Sequence, residues 1–194
     1  YCSTRDIRTP VEPEALAKVY ARLLRIPIAT KSYFKRRKLV RTAVMPLIAW
    51  SGAWQRPTKA TMAKWTTAVE RAVLGKVTPT RSRFLVWTCR LGAELHPEFC
   101  LDAEALRHEI WRLRNTTKAT ARLGDVSRRW AEVCKRWEWV VLDAGLYATP
   151  EGLVDLTWDG ESAIRDAARR AWERHMWRQE PRAHDSQDSH LTTL

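Results

Sequence analysis

The stretch Lys31-Ser32-Tyr33-Phe34-Lys35-Arg36-Arg37-Lys38-Leu39-Val40-Arg41-Thr42-Ala43-Val44-Met45-Pro46-Leu47-Ile48 carries two messages at once. Leu39, Val40, Ala43, Val44, Leu47 and Ile48 recur at the three-and-four spacing of a helix face, with Lys35, Lys38, Arg41 and Thr42 on the other side. A helix from about Ser32 to Ala49 is expected, kinked at Pro46, which has no N–H to donate. Upstream, Leu16, Val19, Tyr20, Leu23 and Leu24 mark a helix that opens near Pro13 and should end before Pro27. Downstream, Thr58 caps a third helix that buries Met62, Trp65, Val69, Ala72 and Val73 and stops at Gly75. A fourth is expected over Arg81 to Leu91, between Thr80 and Gly92, and a fifth runs from an Asp102 cap to about Arg114. Asp125 should cap a sixth and longest helix ending at Gly145.

Beyond that point the period changes from helix to strand. Leu146-Tyr147-Ala148, the turn Thr149-Pro150-Glu151-Gly152 and Leu153-Val154-Asp155-Leu156 read as a short β-hairpin, followed by a last helix over about Glu161 to Arg178. Residues 181–194 have almost no apolar content and are expected to be disordered. The fold class is therefore mostly α. A basic helical bundle over 1–115 is followed by a helix, hairpin and helix unit over 125–180 and a tail over 181–194, with the seam at Asn115 to Gly124.

The 194 residues include 34 Lys and Arg against 22 Asp and Glu, a formal charge of +12. That charge is unevenly spread. Residues 1–64 hold 14 cations and 3 acids, whereas residues 141–194 hold 6 and 10. A basic segment of this kind suits a surface that meets phosphates, because Lys and Arg release condensed counterions on binding. With 45% hydrophobic residues and 11 tryptophans the chain can bury a sizeable core, roughly 70% of its unfolded surface at this length. No apolar run approaches a bilayer span, and no basic-then-apolar leader stands at the start. Tyr1 in place of Met suggests a piece of a longer chain.

Catalytic constellations are sparse. The chain has no adjacent Asp-Asp pair, no H-E-x-x-H, no G-x-S-x-G and no phosphate-cradling glycine loop. Cys89, His96, Cys100 and His108 stand at gaps longer than zinc sites use, and the four cysteines read as free, mostly buried thiols. Asp155, Asp159, Glu161 and Asp166 cluster near the hairpin, but Asp159-Gly160-Glu161 looks like a loop and helix cap more than a two-metal site. No metal or cofactor is expected. The strongest signal is the run Lys31 to Arg41, with six cations and two aromatics in eleven residues. Lys31, Lys35, Arg36, Arg37, Lys38 and Arg41 are the candidate nucleic-acid contacts, since cations hold phosphates and an interleaved aromatic can stack on a base. If the run is only a solvated helix face, Phe34 turns to the core. Trp50 and Trp54 close the helix and are expected to be core, and the remaining tryptophans to pack.

Within this pattern, Arg37-Lys38-Leu39-Val40-Arg41-Thr42-Ala43-Val44-Met45-Pro46-Leu47-Ile48-Ala49-Trp50-Ser51-Gly52-Ala53-Trp54, preceded by a helix ending at Pro27, resembles the segment that follows the palm in reverse transcriptases of non-LTR (LINE-like) retrotransposons. Ala72-Val73-Leu74-Gly75, Arg81-Ser82-Arg83, Leu95-His96-Pro97 and Arg169-Arg170-Ala171-Trp172-Glu173-Arg174-His175-Met176-Trp177 resemble the same region in protist elements, so the likeness spans about residues 15–178. The resemblance implies a helical thumb and linker that grip a primer–template duplex while an upstream palm domain of the same polypeptide carries out RNA-directed DNA synthesis. It implies Lys35, Lys38 and Arg41 as backbone contacts, with Lys31, Arg36 and Arg37 beside them, and work on chromosomal DNA in the nucleus. The chain departs from the family in lacking the Asp-Asp palm motif and the Cys/His knuckle. Two other readings stand beside it. One is a stand-alone helical DNA-binding protein with a winged-helix-like unit over 126–178, against which Glu151, Asp155 and Asp159 have the wrong sign for phosphates. The other is a protein-interaction bundle with a nuclear-targeting basic run.

Overall fold

The structure is a computed structural model that describes residues 13–50, 57–75, 82–115 and 127–180. Trp54, Thr80, Asp125, Cys2, most of the expected seam and the tail from Pro181 lie outside the described residues. The chain is mostly helical with one small antiparallel sheet, in the order α1 (Pro13–Ala29), α2 (Tyr33–Leu39), a π turn (Val40–Val44), α3 (Met45–Ala49), α4 (Lys59–Leu74), α5 (Arg83–Leu85), a second π turn (Val86–Leu91), a short tight turn (Ala93–Leu95), α6 (Pro97–Asn115), α7 (Arg128–Trp137), β1 (Val140–Asp143), β2 (Leu146–Thr149), β3 (Gly152–Asp155) and α8 (Glu161–Gln179).

Several boundaries differ from the sequence expectation, each for a local reason. α1 runs through Pro27 to Ala29, because Pro27 sits in the last turn and Ile26 beside it is buried. The expected helix over 32–49 is broken by a widened turn in place of a simple kink: the Met45 N–H reaches back five residues to the Val40 carbonyl, just ahead of Pro46. A π turn is a low-cost way to pass a residue that cannot donate. α5 is a single turn capped by Ser82, whose hydroxyl accepts from the Leu85 N–H at 3.2 Å, and it passes into the second π turn. α6 begins at Pro97 and not at Asp102, with Pro in the first helical position and His96 Nδ1 accepting from the Glu98 N–H at 3.2 Å. α7 is shorter than expected: Ser127 caps it, and Glu138 ends it in the left-handed region at φ 60°. The chain to Asp143, expected as helix, is strand β1, so the hairpin becomes a three-stranded sheet in the order β1-β2-β3. Gly145, expected as a helix stop, instead makes the β1–β2 turn at φ 90°.

Several contacts join the expected bundle to the expected helix–sheet–helix part, among them three buried ones. Asp102 on α6 is 1% exposed, and its Oδ1 accepts from Arg129 at 2.7 Å and from Arg136 at 2.5 Å, both on α7. His96 is edge-on to Trp87 at 4.6 Å and tilted against Trp172 of α8 at 5.0 Å. Phe99 packs on Trp137 and Trp172. Behind these lies an aromatic cluster in which Trp130 meets Trp137, Trp139 and Tyr147 edge-on at 5.8 to 5.9 Å, and the Trp130 indole N–H donates to the Tyr147 hydroxyl at 2.9 Å. Trp65, Trp87, Trp130, Trp137, Trp139 and Trp172 are core as expected, whereas Trp50, Trp111, Trp158 and Trp177 are exposed. Trp50, expected in the core, is 87% exposed.

Burial works to raise the Asp102 carboxyl, and the Arg136 and Arg129 guanidiniums oppose it. Removing its charge leaves Arg129 and Arg136 with the longer contacts to Glu132 at 3.6 Å and Glu98 at 4.0 Å, so Asp102→Asn should cost on the order of 3 kcal/mol in urea unfolding. His96 is pushed down to about 3, chiefly by burial and further by the nearby Arg83 and His175. The unfolded chain therefore binds a proton below its ordinary value near 6.5 that the folded chain refuses, and stability falls as pH drops through that window. Between pH 7 and 5 this residue should remove about 2 kcal/mol, and His96→Asn, which keeps an acceptor for the Glu98 N–H, should flatten the acid limb by that amount in pH-dependent denaturation.

Candidate nucleic-acid interface

The basic run folds into α2 and the π turn after it, and the inward side of that segment is what holds it. Val40 and Val44 are buried, and the Tyr33 hydroxyl donates to the Arg90 carbonyl on the second π turn. This leaves Lys31, Phe34, Lys35, Lys38 and Arg41 exposed. Among the described residues no carboxylate forms an ion pair with these four cations. Phe34 is 77% exposed, held edge-on to Tyr33 at 5.4 Å, so it is not turned to the core.

The other two candidate cations stand differently. Arg36 is half-buried and caps the end of α1, with Nε donating to the Thr30 carbonyl at 2.7 Å and an Nη donating to the Pro27 carbonyl at 3.4 Å. Arg37 donates to Glu94 at 2.7 Å. That pair needs the close approach made at Gly92, where a Cβ would lie 2.7 Å from the Glu94 carboxylate and 3.0 Å from Arg37. Both arginines add positive potential, but their guanidiniums are already engaged in holding α2 in place.

Beside α2 lies a groove of about 640 Å³ lined by Lys31, Tyr33, Phe34, Arg36, Arg37, the apolar Val73 and Leu74 at the end of α4, and Cys89 and Arg90. No acid lines it. Arg90 is the residue the sequence reading missed, because it arrives from 57 positions away through the Tyr33 contact, and no linear spacing signals that.

The other candidates find structural employment. Asp155 Oδ1 accepts from the Thr157 N–H and hydroxyl and from the Trp158 N–H, and Asp159 accepts from the Asp155 N–H, so these carboxylates close the turn before α8. Burial raises the Cys100 and Cys134 thiols to about 12, and Cys89 is exposed. Among the described residues no group of three or more His, Cys, Asp or Glu is placed to hold a metal ion, and no helix is long and apolar enough to cross a membrane. Comparison of the chain with protein-family models, curated proteins and solved structures finds no match.

The two kinds of cation separate by stability. Arg36→Ala removes the cap on α1 and should lower unfolding stability by about 1–2 kcal/mol, while Lys35→Ala should stay within about 0.5 kcal/mol of wild type in the same urea titration.

Proposed function

We propose that this chain is a non-catalytic nucleic-acid grip, the thumb and linker part of a retroelement reverse transcriptase, holding a primer–template duplex through its backbone phosphates. The observation that carries the reading is the exposed set Lys35, Lys38 and Arg41 on α2 and its π turn, with Lys31 just ahead of the helix, left without carboxylate partners among the described residues. Unpaired cations on a rigid helix contact phosphates without reading sequence. Lys35, Lys38 and Arg41 are the direct contacts, Lys31 flanks them, and Arg36 and Arg37 act mainly by fixing the helix. The palm of the parent polypeptide supplies the polymerase chemistry, and a retroelement that copies into chromosomal DNA works in the nucleus. The acids Glu151, Asp155 and Asp159 around the sheet disfavour a winged-helix reading, since they would repel a phosphate backbone.

The test is binding of the chain to a labelled RNA–DNA hybrid, duplex DNA and heparin across a salt series, beside the triple variant Lys35→Ala, Lys38→Ala, Arg41→Ala. Wild type should prefer the duplexes, and the variant should lose affinity with a salt slope shallower by roughly two to three charges. Equal binding by wild type and variant would remove the grip reading.

A further inference from the structure

The groove beside α2 differs in kind from the cation row above it. Its volume of about 640 Å³ lies in the range of small-ligand pockets and admits one or two nucleotides, not a double helix. The Phe34 ring lines it, exposed over three-quarters of its surface and edge-on at 5.4 Å to Tyr33, whose own hydroxyl donates to the Arg90 carbonyl. Val73 and Leu74 give the groove apolar lining, Arg90, Lys31, Arg36 and Arg37 give it positive charge, and no carboxylate lines it among the described residues, the Glu94 acid being bound to Arg37. A ring that is solvent-facing and bordered by cations suits a flat aromatic ligand carrying a phosphate. Bases inside a duplex keep both faces stacked on their neighbours, so along the strand it is an unpaired base that can offer its face to such a ring.

We infer that this groove receives the first unpaired nucleotide beyond the duplex, its base stacked on Phe34 and its phosphate against Arg90 and Lys31. The inference rests on the duplex grip proposed above, because Phe34 on α2 and Lys31 just ahead of it join the groove to the row of Lys35 and Lys38. The groove thereby senses where duplex gives way to single strand, a position that phosphate contacts alone do not mark.

The experiment measures affinity of the full chain for three labelled DNAs: a blunt duplex, the same duplex with a short single-stranded overhang, and that duplex with an abasic overhang. The overhang with bases should bind about tenfold tighter than the blunt end, and the abasic overhang should recover little of that gain. Phe34→Ala should abolish the gain with blunt-duplex affinity unchanged, Phe34→Trp should keep it, and Arg90→Ala should shrink it. Equal binding of blunt and overhung duplexes by wild type, an equal gain from the abasic overhang, or a full gain in Phe34→Ala would overturn the groove while leaving the duplex grip standing. Binding to the overhung duplex with none to the blunt one would support the groove and overturn the duplex grip.

Discussion

A carboxylate buried as completely as Asp102 imposes order on everything around it. An ionised acid taken out of water must be met by opposite charge and hydrogen bonds. Here both partners come from one helix: Arg129 and Arg136 are seven residues apart, two turns of α7, and so lie on the same face. Fixing that face toward α6 fixes the rotation of α7, which decides that Trp130, Val133, Cys134 and Trp137 point inward. Glu98, one turn ahead of Asp102 on α6, extends the same contact to Arg136. With Trp130 set, Tyr147 on β2 has a hydrogen-bond partner and the sheet has a place to pack. The acidic pairings at the sheet's rim follow: Glu151 with Arg174 and Glu138 with Arg178 tie the turns on to α8.

The parts of this arrangement that were legible in the sequence are those set by one periodicity acting alone. The buried faces of α1, α4 and α8 could be read from Val19 and Leu23, from Trp65, Val69 and Val73, and from Ile164, Ala168, Ala171 and Trp172, because a uniform helix repeats its apolar residues every three or four positions. The errors fall where a tertiary contact outranks a local signal. Asp102 resembles a cap because Asp often is one, yet two charges on another helix, 27 and 34 residues further along the chain and beyond a seam, are what hold it. Glu138 and Trp139 continue the helical pattern of α7 in sequence, but the chain turns there, with the Trp139 N–H bonded to the Cys134 carbonyl, so that Trp139 can reach the aromatic cluster. The π turn before Pro46 is invisible to periodicity because one extra residue per turn only shifts the apolar stripe.

The candidate interface was half legible for the same reason. The cation run is a linear feature and stands out at once. Which of its members are available is not linear: Lys35 and Lys38 face water, while Arg36 and Arg37, adjacent in sequence, turn back on Thr30 and Glu94. Arg90 stands beside the groove with its carbonyl accepting from Tyr33, a long-range contact that no linear spacing signals.

The distribution of ion pairs among the described residues shows where acids near the core are engaged while the row on α2 pairs with none of them. Glu94 is taken by Arg37, Asp102 by Arg129 and Arg136, Glu109 by Arg112, Glu138 by Arg178 and Glu151 by Arg174. Each of these carboxylates is held away from the outer face of α2 by its own structural partner. That leaves a seven-residue helix carrying Lys35, Arg36, Arg37 and Lys38 with no acid of its own. Such a helix is too short and too self-repelling to persist by itself. It exists because Val40 and Val44 are buried beyond its end and because Tyr33, Arg36 and Arg37 tether it to three different segments. Tertiary contacts thus hold a concentration of positive charge that the local sequence opposes. An anion laid along its outer face relieves the repulsion without disturbing any of the contacts that keep the helix in place.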